Sequence, residues 1–389
     1  MTRLLQRILG RLPVGWLQLT HSRGRLAAAI AGVSFANVLV LVQLGIAGAL
    51  NGTIAQGYDL FRADILISAP DANTMTDGGN VARQHLWQAL ADPDVADGAA
   101  LYIGTLTWSR TSGDTALQTF GIGPDKGDFL APNLAPHAAS LMRADTAVID
   151  RMTRRLEPGL VATLSETTPL TFEGGGRTLS VTGAFTGGVG FSADGYMLVS
   201  DQTFLSLFPR RLSGAPNHLL IRLAPGADPA QVADRLRRDL GGDLRVRSMA
   251  DAIAEDQQYQ GTERPTGIIF GFGVVIGVLV GIVIVYQVLS TDVADHLREY
   301  ATFKAVGYPH RYFISIILEE ALILATLGFV PGIAIATGLY AALNTATGLP
   351  LVMTVDTALA VLAGTMAACA LSGAIATRRL AAADPADLF

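Results

Sequence analysis

Apolar positions along the 389-residue chain are gathered into blocks rather than spread evenly. Four stretches hold almost nothing but apolar and small residues: Leu26–Leu50, Thr266–Leu289, Ile314–Leu339 and Val355–Thr377. Each has at least the roughly 20 residues needed to cross about 30 Å of hydrocarbon at 1.5 Å per residue. The apolar core of the first is too long for the central region of a signal peptide, so an uncleaved anchor is expected. Between the first and second blocks, short hydrophobic runs alternate with turn residues, as in a folded soluble domain. The expected organisation is an N-terminal amphipathic helix over 1–25, spans at 26–50, 266–289, 313–340 and 355–377, and a large domain over 51–265. Loops at 290–312 and 341–354 and a tail at 378–389 complete it.

Within the large domain, strands are expected at Phe61–Ser68, Ala100–Arg110 and Ala116–Gly123. Ala147–Leu156 leads into a hairpin of Pro169–Phe172 and Thr178–Phe185 about the turn Gly174–Gly176, followed by a strand at Tyr196–Ser200. His218–Leu223, a helix over Pro229–Leu240 and Leu244–Arg247 form a β-α-β unit. Helices are also expected at His85–Ala91 and Ala250–Tyr259. Asp228 is placed to cap the helix that opens with Pro229. The mixture predicts an α+β membrane protein: four transmembrane helices with an α+β domain inserted between the first and second.

Composition agrees with this division: half of the residues are hydrophobic and 16% are charged, with a mean hydropathy of +0.40. The net charge of −5 separates into 18 Lys+Arg against 25 Asp+Glu from Asn51 to Pro265, and 10 against 8 elsewhere. Neither part carries a basic stripe, so nucleic acid is not an expected partner. Arg3, Arg7, Arg11, Arg23 and Arg25 precede the first span. Arg298, Lys304 and Arg311 lie between the second and third, Arg378 and Arg379 follow the fourth, and Tyr340–Thr354 has no Lys or Arg. The positive-inside rule then places both termini and the 290–312 loop in the cytoplasm of a bacterium, with the large domain beyond the inner membrane in the periplasm. The one cysteine, Cys369, lies in an apolar block, so the outer domain has to rely on its own core.

Catalytic patterns are absent. His85 and His218 are isolated and read as surface or packing residues; there is no HExxH and no GxSxG. The only lysines, Lys126 and Lys304, follow Asp125 and Phe303, so no Walker A lysine exists. No cofactor is expected on this chain, and any ATP has to be bound by another.

Gly273, Gly277 and Gly281, four apart, form one groove along the second span and suit either a dimer or gate interface or packing within one subunit. After that span, Asp292–Gly307 reads as a short amphipathic helix. Val293, Leu297, Tyr300, Ala301 and Lys304 fall near one face, and Asp292, Asp295, Arg298, Glu299 and Thr302 on the others. Asp292 and Asp295 suit its start and Gly307 its end. Its two readings are docking to a partner and a solvated interfacial helix. Glu319 and Glu320 open the apolar part of the third span. They suit a gating role, or interfacial snorkelling and pairing with Arg311 or an N-terminal arginine. Met1–Leu19, with arginines four apart among leucines, suits a helix lying on the lipids of the inner surface.

The run DVADHLREYATFKAVGYPHRYF, 292–313, resembles the loop of the FtsX-like permease domain shared by MacB and the lipoprotein-release permeases. Its Asp295-His296-Leu297, Glu299-Tyr300-Ala301-Thr302 and Lys304-Ala305-x-Gly307-Tyr308 version is similar to DevC-type permeases. Pro13–Leu19 ahead of Arg25-Leu26 and the tail Ala382-Ala383-Asp384-Pro385-Ala386-Asp387-Leu388 also resemble that group. The resemblance implies a homodimeric permease subunit of an ATP-binding cassette exporter acting by mechanotransmission. An ABC ATPase subunit would hold ATP and Mg. Its groove would seat the coupling helix formed by Asp292, Asp295, His296, Leu297, Arg298, Glu299, Tyr300, Lys304 and Gly307. A periplasmic membrane-fusion adaptor and a TolC-like outer-membrane channel would complete the path for a lipid, glycolipid or other hydrophobic compound. The alternative is an FtsX-like regulator that activates a periplasmic cell-wall hydrolase. A membrane-anchored enzyme, the third class, has no catalytic constellation to support it.

Overall fold

A computed structural model describes residues 14–110, 113–156, 159, 161, 163–165, 167–188, 193–295 and 306–382. The chain divides into two compact units. One comprises Ala49–Gly267 with Thr347–Pro350; the other comprises Met1–Gly48, Ile268–Ala346 and Leu351–Phe389.

The first unit is built on a nine-stranded sheet. Its strands are β1 (Ile65–Ser68), β2 (Val95–Trp108), β3 (Thr115–Ile122), β4 (Thr146–Asp150), β5 (Leu170–Gly174), β6 (Arg177–Phe185), β7 (Gly195–Ser200), β8 (His218–Leu223) and β9 (Arg245–Ser248). They lie in the order β5-β6-β4-β7-β3-β2-β8-β1-β9. The β3–β7 and β4–β6 pairs are parallel and the rest antiparallel. β1, β4 and β7 are buried along their whole length, because the sheet has a core on each face. Side chains alternate between the two with the period of two that a pleated strand imposes. Ile65 and Ile67, Ala147 and Ile149, Met197 and Val199, and Leu219 and Ile221 enter one core. Leu66, Val148, Leu198 and Leu220 enter the other.

Short helices close the first face: α3 (Gln84–Ala89), α4 (Asp201–Leu207) and α5 (Pro229–Asp239) supply Leu86, Phe204, Leu207, Val232 and Leu236. The second face takes Leu50, Ile54 and Tyr58 from the end of α2 (Arg23–Tyr58), Ala252 from α6 (Met249–Thr262), and Phe129, Leu130, Leu134 and Leu141 from the 127–142 segment. The α+β class is therefore as expected. Asp228 does cap α5, its side chain accepting from the N–H of Ala230 at 3.0 Å. One local expectation fails and one helix had no counterpart in the sequence pattern. The first strand begins at Ile65, since Phe61 makes only an isolated bridge to Leu130. Helix α4 was not foreseen; Ser200 caps it by accepting from Thr203 N–H at 3.2 Å, a signal carried by one residue at the end of a strand.

The second unit contains α1 (Val14–His21), the first part of α2, most of α7 (Pro265–Asp295), most of α8 (His310–Thr347), and α9 (Val355–Ala382). Four helices among the described residues are long and apolar enough to cross a membrane: Arg23–Tyr58, Pro265–Val288, Ile314–Thr347 and Val355–Ile375. Neutral polar groups bond them to one another. Ser34 on α2 donates to Gly328 O on α8 at 2.9 Å, Thr365 on α9 to Asn37 Oδ1 on α2 at 2.5 Å, and Ser372 on α9 to Ile282 O on α7 at 3.3 Å. Tyr340 OH donates to Leu41 O. Small residues bring backbones close where no hydrophobic force between helices exists. A Cβ on Gly328 would lie 2.6 Å from Val33, and one on Gly332 3.0 Å from Asn37 Cβ.

Candidate functional site

Helix α7 continues past the apolar block and through Asp295. Asp292 and Asp295 therefore lie inside that helix and do not open a separate one. The physical reason is the absence of a breaker: no Gly or Pro occurs from Ile282 to Asp295, and Thr291 is accommodated by donating to Gln287 O at 2.9 Å. His296, Leu297, Arg298, Glu299, Tyr300 and Lys304 lie outside the described residues. Gly307 sits in an exposed turn at φ +103°, a conformation that favours glycine, just before α8. Exposed Val306 and Tyr308 flank it.

The glycine groove of α7 packs within the subunit. A Cβ on Gly273 would lie 2.5 Å from Gln43, one on Gly277 3.1 Å from Val40, and one on Gly281 3.1 Å from Ala36, all on α2. The four-residue spacing was legible in the sequence; which helix fills the groove was not. Beside this contact is a cavity of about 200 Å³ lined by Asn37, Val40, Gly277, Gly281, Gly364 and Thr365 among others.

Glu319 and Glu320 are buried, the second completely. Helix α1 lies against them: Trp16 N–H donates to Glu319 Oε1 at 3.4 Å, and a Cβ on Gly15 would come within 2.8 Å of Glu320 Cγ. Their side chains face protein rather than the surface. Gly15 was not singled out in the sequence as a site residue, because its partner lies some three hundred residues away.

A second polar constellation was not legible at all. In the sheet unit, Asp256 on α6 is 2% exposed. Its Oδ2 accepts from Tyr58 OH and from Met75 N–H, both at 2.9 Å, and its Oδ1 from Gln260 Nε2 at 3.0 Å. Burial raises its pKa, and the three donors oppose that rise. Met75 O lies 2.8 Å from His218 Nε2, whose other ring nitrogen is 2.9 Å from Ser68 Oγ. A carbonyl only accepts, so Nε2 carries the proton and Ser68 donates to Nδ1. Ser68 Oγ in turn accepts from Arg247 Nη2 at 3.2 Å, and Arg247 pairs with Glu255 at 3.0 Å. Burial holds His218 neutral, with its pKa pushed down to about 4. His218 is thus a packing histidine, whereas His85 is half-buried and bonded to Gln88. On β4, burial pushes Asp150 up to about 6 despite N–H bonds from Met152 and Gly187. No group of three or more metal-ligating side chains occurs among the described residues.

Residues 271–385 match the family described as FtsX-like permease C-terminal. That segment contains both the 292–307 motif and Asp384-Pro385. No curated protein matches the chain. Among solved structures, the chain is similar to the periplasmic region of MacB from Actinobacillus actinomycetemcomitans, at 10% identity over 50% of this chain and 92% of that one, with a TM-score of 0.33. It is also similar to the extracellular domain of the ABC-type transporter YknZ from Gram-positive bacteria, at 15% identity over 48% and 99%, with a TM-score of 0.32.

Proposed function

From the FtsX-like permease segment at 271–385 as premise, we propose that this chain is the membrane subunit of an ABC-type permease driven by a separate ATPase. The observation that carries the reading is the position of the Asp292–Gly307 motif. It lies within the matched segment and begins inside a helix, α7, that runs unbroken from its apolar block to Asp295. A rigid helix moves as one piece, so a push on its inner end displaces its outer end. The basic residues on either side of the spans support both termini and this motif being cytoplasmic and the sheet unit periplasmic.

On this reading the ATPase binds ATP and Mg and seats the 292–307 motif, and two copies of the permease work together. A membrane-fusion adaptor and a TolC-like channel receive a hydrophobic cargo on the outer side. The chain itself performs no chemistry. The test is co-purification with the ATPase and vanadate-sensitive hydrolysis in the assembled complex. Glu299→Ala or Lys304→Ala is expected to lower coupled turnover at least tenfold, equivalent to about 1.4 kcal/mol, with the permease still folded and inserted. Turnover at the parental rate would remove the motif from its assigned role. Activation of a cell-wall hydrolase without cargo movement would favour the FtsX-like regulator instead.

A further inference from the structure

Two of the polypeptide connections between the sheet unit and the apolar helices are the end of α2, Ala49–Tyr58, and α6, which is followed by α7 from Pro265; the Thr347–Pro350 segment supplies the others. Both end residues of interest are deeply buried, Tyr58 and Asp256 each 2% exposed. One carboxylate joins three separate segments, since Asp256 accepts from Tyr58 on α2, from Met75 in the 69–83 loop and from Gln260 on α6. The same loop is anchored to the sheet by His218 through Met75 O. A second bond between the two helices, Gln257 Nε2 to Asn51 O at 2.9 Å, is exposed and so weak. Arg264, the last residue before Pro265, pairs with Asp77 of the loop at 2.6 Å.

We propose that the Tyr58–Asp256–Met75 junction is a clasp that makes the two connections move as one body with the sheet. This rests on the force-transmission reading given above. Without the clasp, a displacement arriving through α7 would slide α6 along α2 and be lost before it reached the sheet. With it, α6, the outer end of α2 and β8 share one buried hydrogen-bonded network. Sliding then requires leaving a phenol, a backbone N–H and a carboxylate unsatisfied together. Helix α6 ends at Thr262 and α7 begins at Pro265.

The test uses the full chain with its ATPase in lipid nanodiscs, with Cys369→Ala as background and spin labels at Asn51→Cys and Gln258→Cys, both exposed. The expected result is one narrow distance distribution, unchanged on vanadate trapping. Asp256→Ala should abolish the narrow distribution. Tyr58→Phe, which keeps the ring and the fold, should broaden it less. Combining the two should give nothing beyond Asp256→Ala alone, because both act through one bond. A narrow distribution in Asp256→Ala, or a parental distribution that splits on trapping, overturns the clasp. The nucleotide-free comparison stands by itself. Failure of the ATPase to bind would therefore sink the permease reading and leave this result readable.

Discussion

The two units of this chain both bury ionisable side chains, Glu319 and Glu320 in the helical unit among them, but they hold their elements together differently. The sheet unit buries ionisable side chains outright: Asp150, His218, Arg247 and Asp256 are each 5% exposed or less. It holds them with hydrogen bonds drawn from distant strands and helices, leaving Asp150 Oδ2 and Arg247 Nε as buried atoms without a partner. The helical unit ties its spans with hydroxyls donating to backbone carbonyls and to the Asn37 amide oxygen, and with glycines that let helices touch. It also leaves large apolar side chains on its outside. The apolar window of α7 is only 11% buried against 39% for α2, so Ile269, Phe272, Ile276, Leu279 and Val283 face outward. In water that surface would be a liability; at membrane depth it costs nothing, and close packing replaces the hydrophobic effect as the cohesive term.

The largest test of this contrast is steric. Gly328→Leu would force a side chain into Val33 and toward Ile30 O, prising α8 from α2. We expect a loss of about 3 kcal/mol or more, read as aggregation on detergent extraction, with the sheet unit still protected from protease. Selective cleavage in the sheet unit would break the comparison.

Titration sharpens it. His218 is depressed, so its contribution is fully present above its ordinary pKa near 6.5 and is lost as pH falls toward 4. Asp150 is raised, so its penalty is absent below 3.8 and complete above about 6. Each shift corresponds to about 3 kcal/mol, and the two oppose one another between pH 4 and 6. Relative to the parent, His218→Gln should gain stability on acidification from pH 6.5 to 4.5, and Asp150→Asn should lose it. Thermal melts followed by Trp108 fluorescence would measure both slopes, and equal slopes in the two variants would refute the assignment. Asp256 and His137 shift in the same senses as Asp150 and His218 respectively, and they remain in both variants.

The smallest effect concerns a neutral bond in the helical unit. Thr365→Val removes the donor to Asn37 and should cost about 0.6 kcal/mol, with no dependence on pH between 4 and 7. A pH-dependent loss would mean that this bond is coupled to a titrating group.

Much of the architecture was readable along the chain, because its cause is local. Twenty apolar residues in a row mark a span wherever they fold, and the short apolar runs at Ile65–Ile67 and Met197–Val199 mark strands. Gly273, Gly277 and Gly281 announced a close helix contact, yet they offered no means of choosing between α2 and a second copy. The motif at 292–307 was legible as a pattern, but the start assigned at Asp292 was not a start. Acidic residues suit a helix N-terminus without being able to interrupt a helix already under way.

What the amino-acid order alone determined is therefore periodic or compositional: the spans, the asymmetry of arginine and lysine, the α+β class, the absence of a Walker lysine and the permease resemblance. The tertiary structure decided the pairings. Tyr58 and Asp256 are 198 positions apart, Met75 and His218 are 143, and Gly15 meets Glu320 across the whole helical unit. Nothing local distinguishes a buried carboxylate from a surface one. Whether Asp256 is solvated or enclosed depends on which faces of α2, α6 and the 69–83 loop come together, and that choice is made by packing the two cores of the sheet.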